Sequence, residues 1–307
     1  MNEQEAILEM KRLVYRLVHL PLTFARALLV KTYRHVTVSG QTDQVLGMKV
    51  HTLQNEINAL TKNMLKTRSI FFEQRLKSLP SVTESLAPIP GHITYEEALL
   101  EMEKIVPHAY RVWRELLEVN AKCFLGFPIH SCSVKGHPMA EAFSHFLKGY
   151  IFGTVLDIGC GPQGLPSYLE GYPVDRIAGI DPLPAGEPHP FVFVQTVAEY
   201  LPWKDKTFST VVVGTSLDHV LLLDKALQEF RRVLKDDGVL VLWVSSIPGS
   251  KKYNPYDPAI AKVDDYHLFH FDQPWFEEVM REQFIMEECV GFSYPETSRF
   301  YAFRPRL

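Results

Sequence analysis

The stretch Val155–Gly164 reads VLDIGCGPQG, an apolar run followed by a carboxylate and three glycines. Gly159, Gly161 and Gly164 have the spacing G-x-G-x-x-G, which typically forms a turn between a strand and a helix and lets a cofactor approach the backbone. Further on, Asp181 ends the next apolar run, RIAGID, where nucleotide-binding folds place an acid that binds ribose hydroxyls. These features predict a nucleotide-binding unit and leave its ligand open between NAD and other adenosine cofactors.

Asp157 bears on the choice of ligand. A carboxylate at the end of this strand repels a pyrophosphate, whereas it attracts a ligand that carries an ammonium and a sulfonium. Two unit charges about 4 Å apart interact by roughly 4 kcal/mol at an effective dielectric constant of ~20, which is enough to select the sign of the ligand. The negative charge of Asp157 therefore favours S-adenosylmethionine, which is cationic at this end, over a dinucleotide. A helix-capping role is the structural alternative for Asp157, and the two roles are compatible.

The pattern of apolar runs predicts the fold of residues 151–307. The runs TVLDI, RIAGI, FVFV, TVVVG and VLVLWV alternate with helix-like segments, which indicates a parallel sheet covered by helices on both faces. Two later runs, FIMEECVGF and RFYAFRP, are joined by SYPETS and predict a closing antiparallel hairpin. We therefore expect an α/β fold with a doubly wound, seven-stranded, mostly parallel sheet whose last strand is antiparallel, preceded by an α-helical and coiled-coil region.

Residues 1–40 are predicted to form a basic amphipathic helical segment. Between Lys11 and Arg34 the chain has six Lys or Arg residues and no acid, interleaved with large apolar residues. Such a helix suits the interface of a membrane with anionic head groups. The alternative is an amphipathic helix that packs on the body of the chain or on a second subunit.

Residues 41–79 show the repeat of a coiled coil. Apolar or small residues recur at alternating steps of four and three, a spacing that keeps them on one seam. The seam consists of Leu46, Val50, Leu53, Ile57, Leu60, Met64, Thr67 and Phe71. β-Branched residues at one core position with leucine at the other favour two parallel strands, so the pattern predicts a homodimer. A long helix that folds back on the first segment is the alternative.

Residues 80–92 and 93–150 are predicted to be a proline-rich linker and a helical cap or lid. The prolines of the linker, SLPSVTESLAPIPGH, remove backbone donors and cannot continue the helix. Helical periodicity returns from about Thr94 to Asn120, and a further helix near residues 139–148 follows the loop GFPIHSCSVKGHP.

The composition indicates which partners and which cellular compartment to expect. The 307 residues carry a net charge of −4, so no global positive field favours nucleic acid as a partner. The four cysteines form no C-x-x-C pair, which predicts reduced thiols in a cytoplasm. The start, MNEQEAILEM, lacks the features of a secretion signal, and Arg16 and Arg26 interrupt the most apolar part of the first segment. We expect a cytoplasmic protein, peripheral at the inner membrane face if the first helix binds lipid.

Residues Phe152–Trp243 resemble the Rossmann-like class I S-adenosylmethionine-dependent methyltransferases, of the kind called methyltransferase type 11. The resemblance rests on four motifs in order: VLDIGCGPQG, GID, AEYLPWKDKTFSTVV and LDHVLLLDKALQEFRRVLKDDGVLVL. It implies an enzyme that uses S-adenosylmethionine. It covers about a third of the chain closely, and the family's sheet would extend to Leu307.

The resemblance also implies which residues bind the cofactor. Gly159, Cys160 and Gly161 would border its methionine part, Asp181 its ribose, Ala198 and Glu199 the neighbourhood of adenine, and Thr215 the sulfonium. Relatives often carry an Asp where this chain has Val197. Either Glu199 binds the adenine amine, or only backbone groups contact the base.

His219 is the predicted general base. Methyl transfer is an in-line displacement, and a hydroxyl acceptor must also lose its proton. His219 follows the strand TVVVGTSL, at the sheet edge where such folds bind ligands, and an imidazole titrates near neutral pH. A histidine that only shapes the loop is the alternative. His267 is the other candidate base, and with Tyr266 and His270 it would line an acceptor pocket.

Two further histidines, His130 and His137, are candidates for a lid. The spacing of the histidines does not suggest a metal site, and no acidic cluster suits a catechol-type magnesium reaction, so no metal is expected.

The predicted function is O-methylation of a sugar or glycan close to the cytoplasmic membrane. The runs SVKGHPMAEAF and YHLFHFDQPWF resemble methyltransferases of cell-surface glycan assembly. A lipid or quinone acceptor is the second hypothesis. The third is a scaffold that binds the cofactor, or has lost it, and dimerises through its coiled coil.

Overall fold

A computed structural model describes residues 43–79, 85–126, 136–292 and 297–306. The predicted basic segment 1–40 and His130 lie outside the described residues. The helices are α1 Asp43–Lys77, α2 Tyr95–Ile105, α3 Pro107–Gly126, α4 Pro138–Leu147, α5 Leu223–Val233 and α6 Gln273–Arg281. None of these helices combines the length and the apolar character that crossing a membrane requires. The chain divides into two compact units, residues 1–57 and 58–307, and residues 43–57 of the first are helical.

The second unit contains one seven-stranded sheet. Its strands are β1 Val155–Ile158, β2 Ile177–Asp181, β3 Val192–Gln195, β4 Phe208–Gly214, β5 Leu234–Ser245, β6 Phe284–Gly291 and β7 Ser298–Pro305. The spatial order is β3-β2-β1-β4-β5-β7-β6, and β7 runs antiparallel to both of its neighbours. The predicted α/β fold with a mostly parallel sheet and an antiparallel last strand is therefore confirmed.

Both faces of the sheet are covered, which explains why its central strands are mostly apolar. On one face, alternate residues such as Leu156 and Leu242 join a core formed with α2, α3, α5 and α6. On the other face, the ring of Phe143 in α4 lies 5.5 Å from that of Trp243 and 5.2 Å from that of Phe300. Every residue of β1, β2 and β4 is buried, as expected of strands inside a parallel sheet.

The part of α1 that belongs to the second unit packs on the body of that unit. Its buried residues are Asn58, Thr61, Leu65 and Phe72. Leu60, from the predicted seam, is 44% exposed. The buried stripe is thus displaced by one residue from the predicted seam. The coiled coil and the homodimer remain predictions.

The predicted linker is not free over the residues that are described. The side chain of Leu86 is buried, and its carbonyl accepts a hydrogen bond of 2.8 Å from the indole of Trp203. The amide of Ile89 donates to the carbonyl of Pro202 at 2.8 Å. Residues 85–92 therefore pack on the sheet domain, because an apolar side chain in this segment has a buried site to fill.

The helical periodicity from about Thr94 to Asn120 corresponds to two helices, α2 and α3. Thr94 and Glu97 form a capping box at the start of α2. Pro107 begins α3, because proline lacks the amide that would continue α2 and is tolerated in the first turn of a new helix.

The helix expected directly after the glycine loop is absent. A single 3₁₀ turn, Ser167–Leu169, lies between Pro166 and Gly171, and a second one, Val174–Arg176, precedes β2. The prolines and the glycine leave too short a run for an α-helix. The glycine loop is therefore not followed by a helix N-terminus whose dipole could act on a bound ligand.

Candidate active site

A cavity of 1090 Å³ lies at the carboxyl edge of the parallel strands. Its wall includes Gly159 after β1, Asp181 at the end of β2, Thr215 after β4 and Ser245 at the end of β5. Side chains from α3, including Trp113, form another wall. Open sheets of this type bind their ligands at this edge.

The glycine loop has a shape that only glycine permits. Gly159 has a φ of +72°, and a Cβ placed on it would lie 2.3 Å from the Cβ of Ser216. The hydroxyl of Ser216 donates to the carbonyl of Ile158 at 2.6 Å, which holds Ser216 against the loop. Gly161 has a φ of +79°. The loop therefore presents bare backbone to the cavity, as close contact with a cofactor requires.

Asp181 is held by the same loop. Its Oδ2 accepts a hydrogen bond of 2.8 Å from the amide of Gly161, and its Oδ1 accepts one of 2.9 Å from the amide of Leu183. Burial raises the pKa of this carboxyl to about 6, against the opposing effect of the two amides. Each oxygen keeps a second lone pair, so the carboxylate can still bind a ribose diol at the cavity wall.

Asp157 lies behind the cavity wall rather than on it. Its side chain is fully buried, and the hydroxyl of Tyr168 lies 3.1 and 3.0 Å from its two oxygens. Burial raises the pKa of Asp157 to about 8; the hydrogen bond from Tyr168 opposes this rise, and the charge of Asp181 adds to it. Asp157 is therefore absent from the cavity wall, whereas Tyr168, which contacts it, lines the cavity. The contact of Asp157 with a cationic ligand remains a prediction.

Cys160 is also turned away from the cavity. Its thiol packs against β2, where a Cβ on Gly179 would lie 3.0 Å from the sulfur. Any contact of Cys160 with the methionine part of the cofactor would therefore be made by its backbone and not by its thiol.

The predicted adenine and sulfonium residues line the cavity. Ala198 and Glu199 are on its wall, and Glu199 Oε1 accepts a hydrogen bond of 2.8 Å from the amide of Leu222. Burial raises the pKa of Glu199. Thr215 has a φ of +61°, a costly backbone state for a β-branched residue that often marks a functional site.

His219 and His267 meet at the other end of the cavity. Their ring centroids are 4.9 Å apart, and both residues line the wall. The indole of Trp113 donates to the carbonyl of His219 at 2.8 Å and fixes the backbone there. Burial lowers the pKa of His219, so the neutral imidazole, which can accept a proton, is favoured. The two candidate bases of the sequence are thus neighbours.

Asp264 organises the segment that carries His267. Its carboxylate lies 2.9 Å from Nδ1 of His267 and 3.0 Å from Nε2 of His270. Burial favours the neutral form of Asp264, but hydrogen bonds from the Tyr266 amide and from His267 outweigh that effect and hold its pKa at about 2. The sequence analysis identified the two histidines and missed Asp264, whose carboxylate contacts both imidazoles, although the spacing D-x-x-H-x-x-H was visible.

Helix α3 supplies wall residues that the sequence could not single out. Trp113, Asn120 and Phe124 line the cavity. The side-chain amide of Asn120 donates to the carbonyl of Tyr266 at 3.0 Å and ties α3 to the segment of Asp264. Helical periodicity marks these residues as one face of a helix and does not reveal which neighbour that face meets.

His137, a predicted lid residue, lines the cavity and caps a helix. Its Nδ1 accepts hydrogen bonds of 3.3 Å from the amides of Met139 and Ala140 at the start of α4. A capping role ties this side chain to a fixed element.

Comparisons with known proteins agree with this architecture. Residues 156–242 match the family model described as "Methyltransferase domain". This segment is a class I methyltransferase domain. The cofactor of the methyltransferase domain is S-adenosylmethionine. The glycine loop fits this cofactor, because Gly159 and Gly161 line the cavity with backbone and carry no side chain that would cover it.

Curated relatives match between a quarter and a third of the chain. The ubiquinone/menaquinone biosynthesis C-methyltransferase UbiE of Haemophilus ducreyi is 46% identical over 78 residues, which are 25% of this chain and 27% of that protein. The mitochondrial arginine-hydroxylase NDUFAF5 of Mus musculus is 34% identical over 96 residues, 29% of this chain and 28% of that protein. The chain therefore spans less than a third of the length of these relatives.

Solved structures resemble a larger part of the chain at lower identity. The PH0226 protein of Pyrococcus horikoshii is 21% identical, with a TM-score of 0.47, and the alignment covers 60% of this chain and 99% of that one. The 1,6-didemethyltoxoflavin-N1-methyltransferase of Burkholderia thailandensis is 16% identical, with a TM-score of 0.47, over 75% of this chain and 100% of that one. At these scores neither likeness bears on function.

The methyltransferase domain brings most of the predicted site residues to one cavity. On its wall are Gly159, Gly161, Asp181, Ala198, Glu199, Thr215 and His219. Asp157 and Cys160 lie behind the wall. The individual contacts of these residues with a cofactor remain predictions.

Proposed function

We propose that the protein transfers the methyl group of S-adenosylmethionine to a hydroxyl oxygen of a sugar or glycan. The observation that supports this most directly is the placement of His219 and the glycine loop on the wall of one cavity. A donor bound at Gly159 and Asp181 and an acceptor bound near His219 would share that space. This arrangement provides the proximity that a two-substrate displacement needs.

The proposed reaction is an in-line displacement. The acceptor oxygen attacks the methyl carbon, the bond between that carbon and sulfur breaks, and the sulfur keeps the electron pair to give S-adenosylhomocysteine. The proton of the acceptor hydroxyl passes to the imidazole of His219. The rings and apolar side chains around the cavity exclude water from the attack.

Features of the acceptor end favour a polar ring. Trp113 and Tyr266 offer aromatic surface. Asn120 lies beside Tyr266, and because its Nδ2 donates to the carbonyls of Leu116 and Tyr266, its Oδ1 is the atom that would accept from a hydroxyl. Aromatic faces stack on the C–H faces of sugars, while amides and imidazoles hydrogen-bond hydroxyls.

The second candidate is C-methylation of a quinone or a related lipid. It is favoured by the 46% identity with UbiE over 78 residues and by apolar side chains on the same wall, Leu117, Phe124 and Val220. The basic segment 11–34 would place either kind of acceptor near an anionic membrane surface.

One experiment tests the acceptor class and the membrane proposal together. The full chain is incubated with host-cell extract and S-adenosylmethionine labelled with ¹³C and ³H in the methyl group, and the membrane and soluble fractions are separated. We expect the label in membrane-associated glycan, with the carbon chemical shift of a methyl ether. A shift typical of a methyl group on carbon would support the quinone alternative, and absence of any labelled product would contradict the enzymatic proposal.

His219 is tested by substitution. His219→Ala is expected to lower turnover by about two orders of magnitude, because general-base catalysis typically contributes that much or more. His108→Ala is the matched control, since His108 is exposed on the surface of α3. S-adenosylhomocysteine affinity, measured by calorimetry, should stay unchanged in both variants. Near-normal turnover of the His219 variant would remove this residue from the role of base.

A further inference from the structure

Asp264, His267 and His270 form a compact cluster in the irregular segment 261–270. Their ligand atoms all lie within 4.8 Å of one another. The segment is fixed by the buried side chains of Leu268 and Phe269, which stand between the two histidines in the sequence. The cluster is thus held by packed neighbours, and one of its members, His267, lines the cavity.

We propose that Asp264, His267 and His270 bind one divalent first-row transition-metal ion at the acceptor end of the cavity. The donors would be Oδ2 of Asp264, Nδ1 of His267 and Nε2 of His270.

The distances permit such an ion. In the structure the carboxylate lies 2.9 Å from His267 Nδ1 and 3.0 Å from His270 Nε2. Two ligands that are each about 2.1 Å from one ion can be no more than about 4.2 Å apart. Even the widest separation compatible with the 4.8 Å limit would then close by less than about 1 Å, which side-chain rotation can supply.

The carboxylate is oriented in advance. Its Oδ1 accepts hydrogen bonds of 2.7 Å from the amide of Tyr266 and 2.8 Å from the amide of His267. The other oxygen, Oδ2, is therefore fixed between the two imidazoles. Backbone amides that hold a ligating carboxylate are typical of the outer shell of metal sites, where they reduce the cost of ordering the ligand.

The donor set selects the class of ion. Two imidazoles and one carboxylate suit zinc, iron(II) and their first-row neighbours, whereas magnesium and calcium prefer oxygen donors alone. The side chains of Asp264, His267 and His270 are 39%, 31% and 17% exposed, so an ion can enter from solvent. Three protein ligands leave at least one coordination position for water or an acceptor oxygen.

The position of the ion gives it a role in the proposed methyl transfer, and that role rests on the proposed function. His267 lines the cavity, and its ring lies 4.9 Å from that of His219. A hydroxyl that coordinates a divalent ion loses its proton more readily. The acceptor would then reach His219 already polarised. This differs from the sequence-based expectation of no metal, which considered the spacing of the histidines without Asp264.

Metal binding is tested without any substrate. The full chain is freed of metal with a chelator, and Zn²⁺ is titrated by calorimetry; absorption of Co²⁺ in the visible range reports the coordination of the ion. We expect one ion per chain. His270→Ala and Asp264→Asn should each weaken binding by at least about tenfold, because the first removes a donor and the second replaces a charged oxygen donor with a weaker neutral one.

Two control variants separate this site from other histidines and acids. Asp265→Asn changes the neighbouring carboxylate, which is 82% exposed and pairs with Lys262, and His108→Ala changes an exposed histidine of α3. Both should bind Zn²⁺ like the unmodified chain. Retained S-adenosylhomocysteine binding shows that the ligand variants are folded.

Failure of the site and failure of the proposed function give different results. No stoichiometric Zn²⁺ or Co²⁺ binding, or equal binding by His270→Ala, would overturn the metal site, whatever the methyltransferase assay shows. A chain that binds the ion but transfers methyl groups equally well in chelator would overturn the polarising role and leave the site in place.

Discussion

At the scale of single residues, burial changes what Asp157 can do. The sequence suggests an ionised carboxylate at the rim of the site. The structure places it under Tyr168, where burial raises its pKa to about 8, so near neutral pH the carboxyl of Asp157 largely keeps its proton in the absence of a bound cation. A ligand with an ammonium group would favour the ionised form, and its binding is therefore expected to release that proton. Selectivity for a cationic ligand is then coupled to release of the Asp157 proton and does not come from a permanent negative charge.

The raised pKa predicts how stability depends on pH. An unfolded Asp loses its proton near pH 4, whereas folded Asp157 holds it up to about pH 8. The contribution is fully present below pH 4 and is lost as pH rises towards 8, by up to about 1.4 kcal/mol per pH unit. Asp157→Asn should remove this part of the slope, while Asp181, with a pKa of about 6, keeps its own part.

Urea unfolding of the ligand-free chain between pH 5 and pH 8 measures this slope. Asp175→Asn, at an exposed position, is the control and should leave the slope unchanged. If Asp157→Asn shows the same slope as the unmodified chain, the buried carboxyl does not carry the proton.

Gly159 predicts a second effect at this scale. Gly159→Ala should lower the free energy of unfolding by about 1–3 kcal/mol and abolish S-adenosylhomocysteine binding, because a Cβ would clash with Ser216 and the backbone is left-handed. Thermal unfolding and calorimetry measure the two effects. Gly171 has a φ of +86° and open space where a Cβ would lie, so Gly171→Ala isolates the effect of backbone strain. At Gly164 a Cβ would lie 3.8 Å from its nearest atom, so Gly164→Ala should be tolerated. Equal effects at Gly159 and Gly171 would exclude the clash as the cause.

At the scale of elements, the sequence predicted what depends on periodicity. The central strands are buried on both faces, so their apolar runs could be read directly. The helix after the glycine loop was predicted from the general motif, but Pro166 and Gly171 prevent it. On α1 the heptad pattern placed Leu60 in the seam, whereas the structure buries Asn58 and Thr61. Which face of a helix is buried depends on the element that packs against it and not on hydrophobicity alone.

The docking of α1 gives a testable ion pair. Arg68 donates two hydrogen bonds, of 2.9 and 2.7 Å, to the carboxylate of Glu288 on β6. Both side chains are at most 23% exposed, so solvent screens the pair only weakly. A double-mutant cycle of Arg68→Ala and Glu288→Gln should give a coupling energy of about 1–3 kcal/mol in the unfolding free energy.

A second pair on the same helix is the control. Lys66 and Glu141 are 3.6 Å apart and more than half exposed, so their coupling should be at most about 1 kcal/mol. If the Arg68 pair couples no more strongly than this one, it does not hold α1 on the sheet domain.

At the scale of the whole molecule, the site is assembled from distant parts of the chain. The donor end follows from one local motif, and for that reason the sequence could predict it. The acceptor end joins α3 to the segment of Asp264, where Asn120 binds the carbonyl of Tyr266 across 146 positions. No local pattern encodes such a contact, so Trp113 and Asn120 could not be found from the sequence.

Ligand binding should stabilise the whole domain selectively. S-adenosylhomocysteine at about a hundred times its Kd is expected to raise the free energy of unfolding by about 2.7 kcal/mol, whereas NAD⁺ at the same concentration should have no effect. A thermal-shift titration with both compounds measures this. Stabilisation by NAD⁺ alone would contradict the assignment of the cofactor, and stabilisation by neither would leave only the scaffold hypothesis.

The match to the methyltransferase domain ends inside β5, and Trp113, Tyr266 and His267 fall outside it, although they share a wall with the glycine loop. Under the proposed function, the predicted donor residues thus lie within the matched stretch, whereas much of the acceptor end lies outside it. Over evolutionary time, one stretch can diverge towards a new substrate while the other continues to use the same methyl donor.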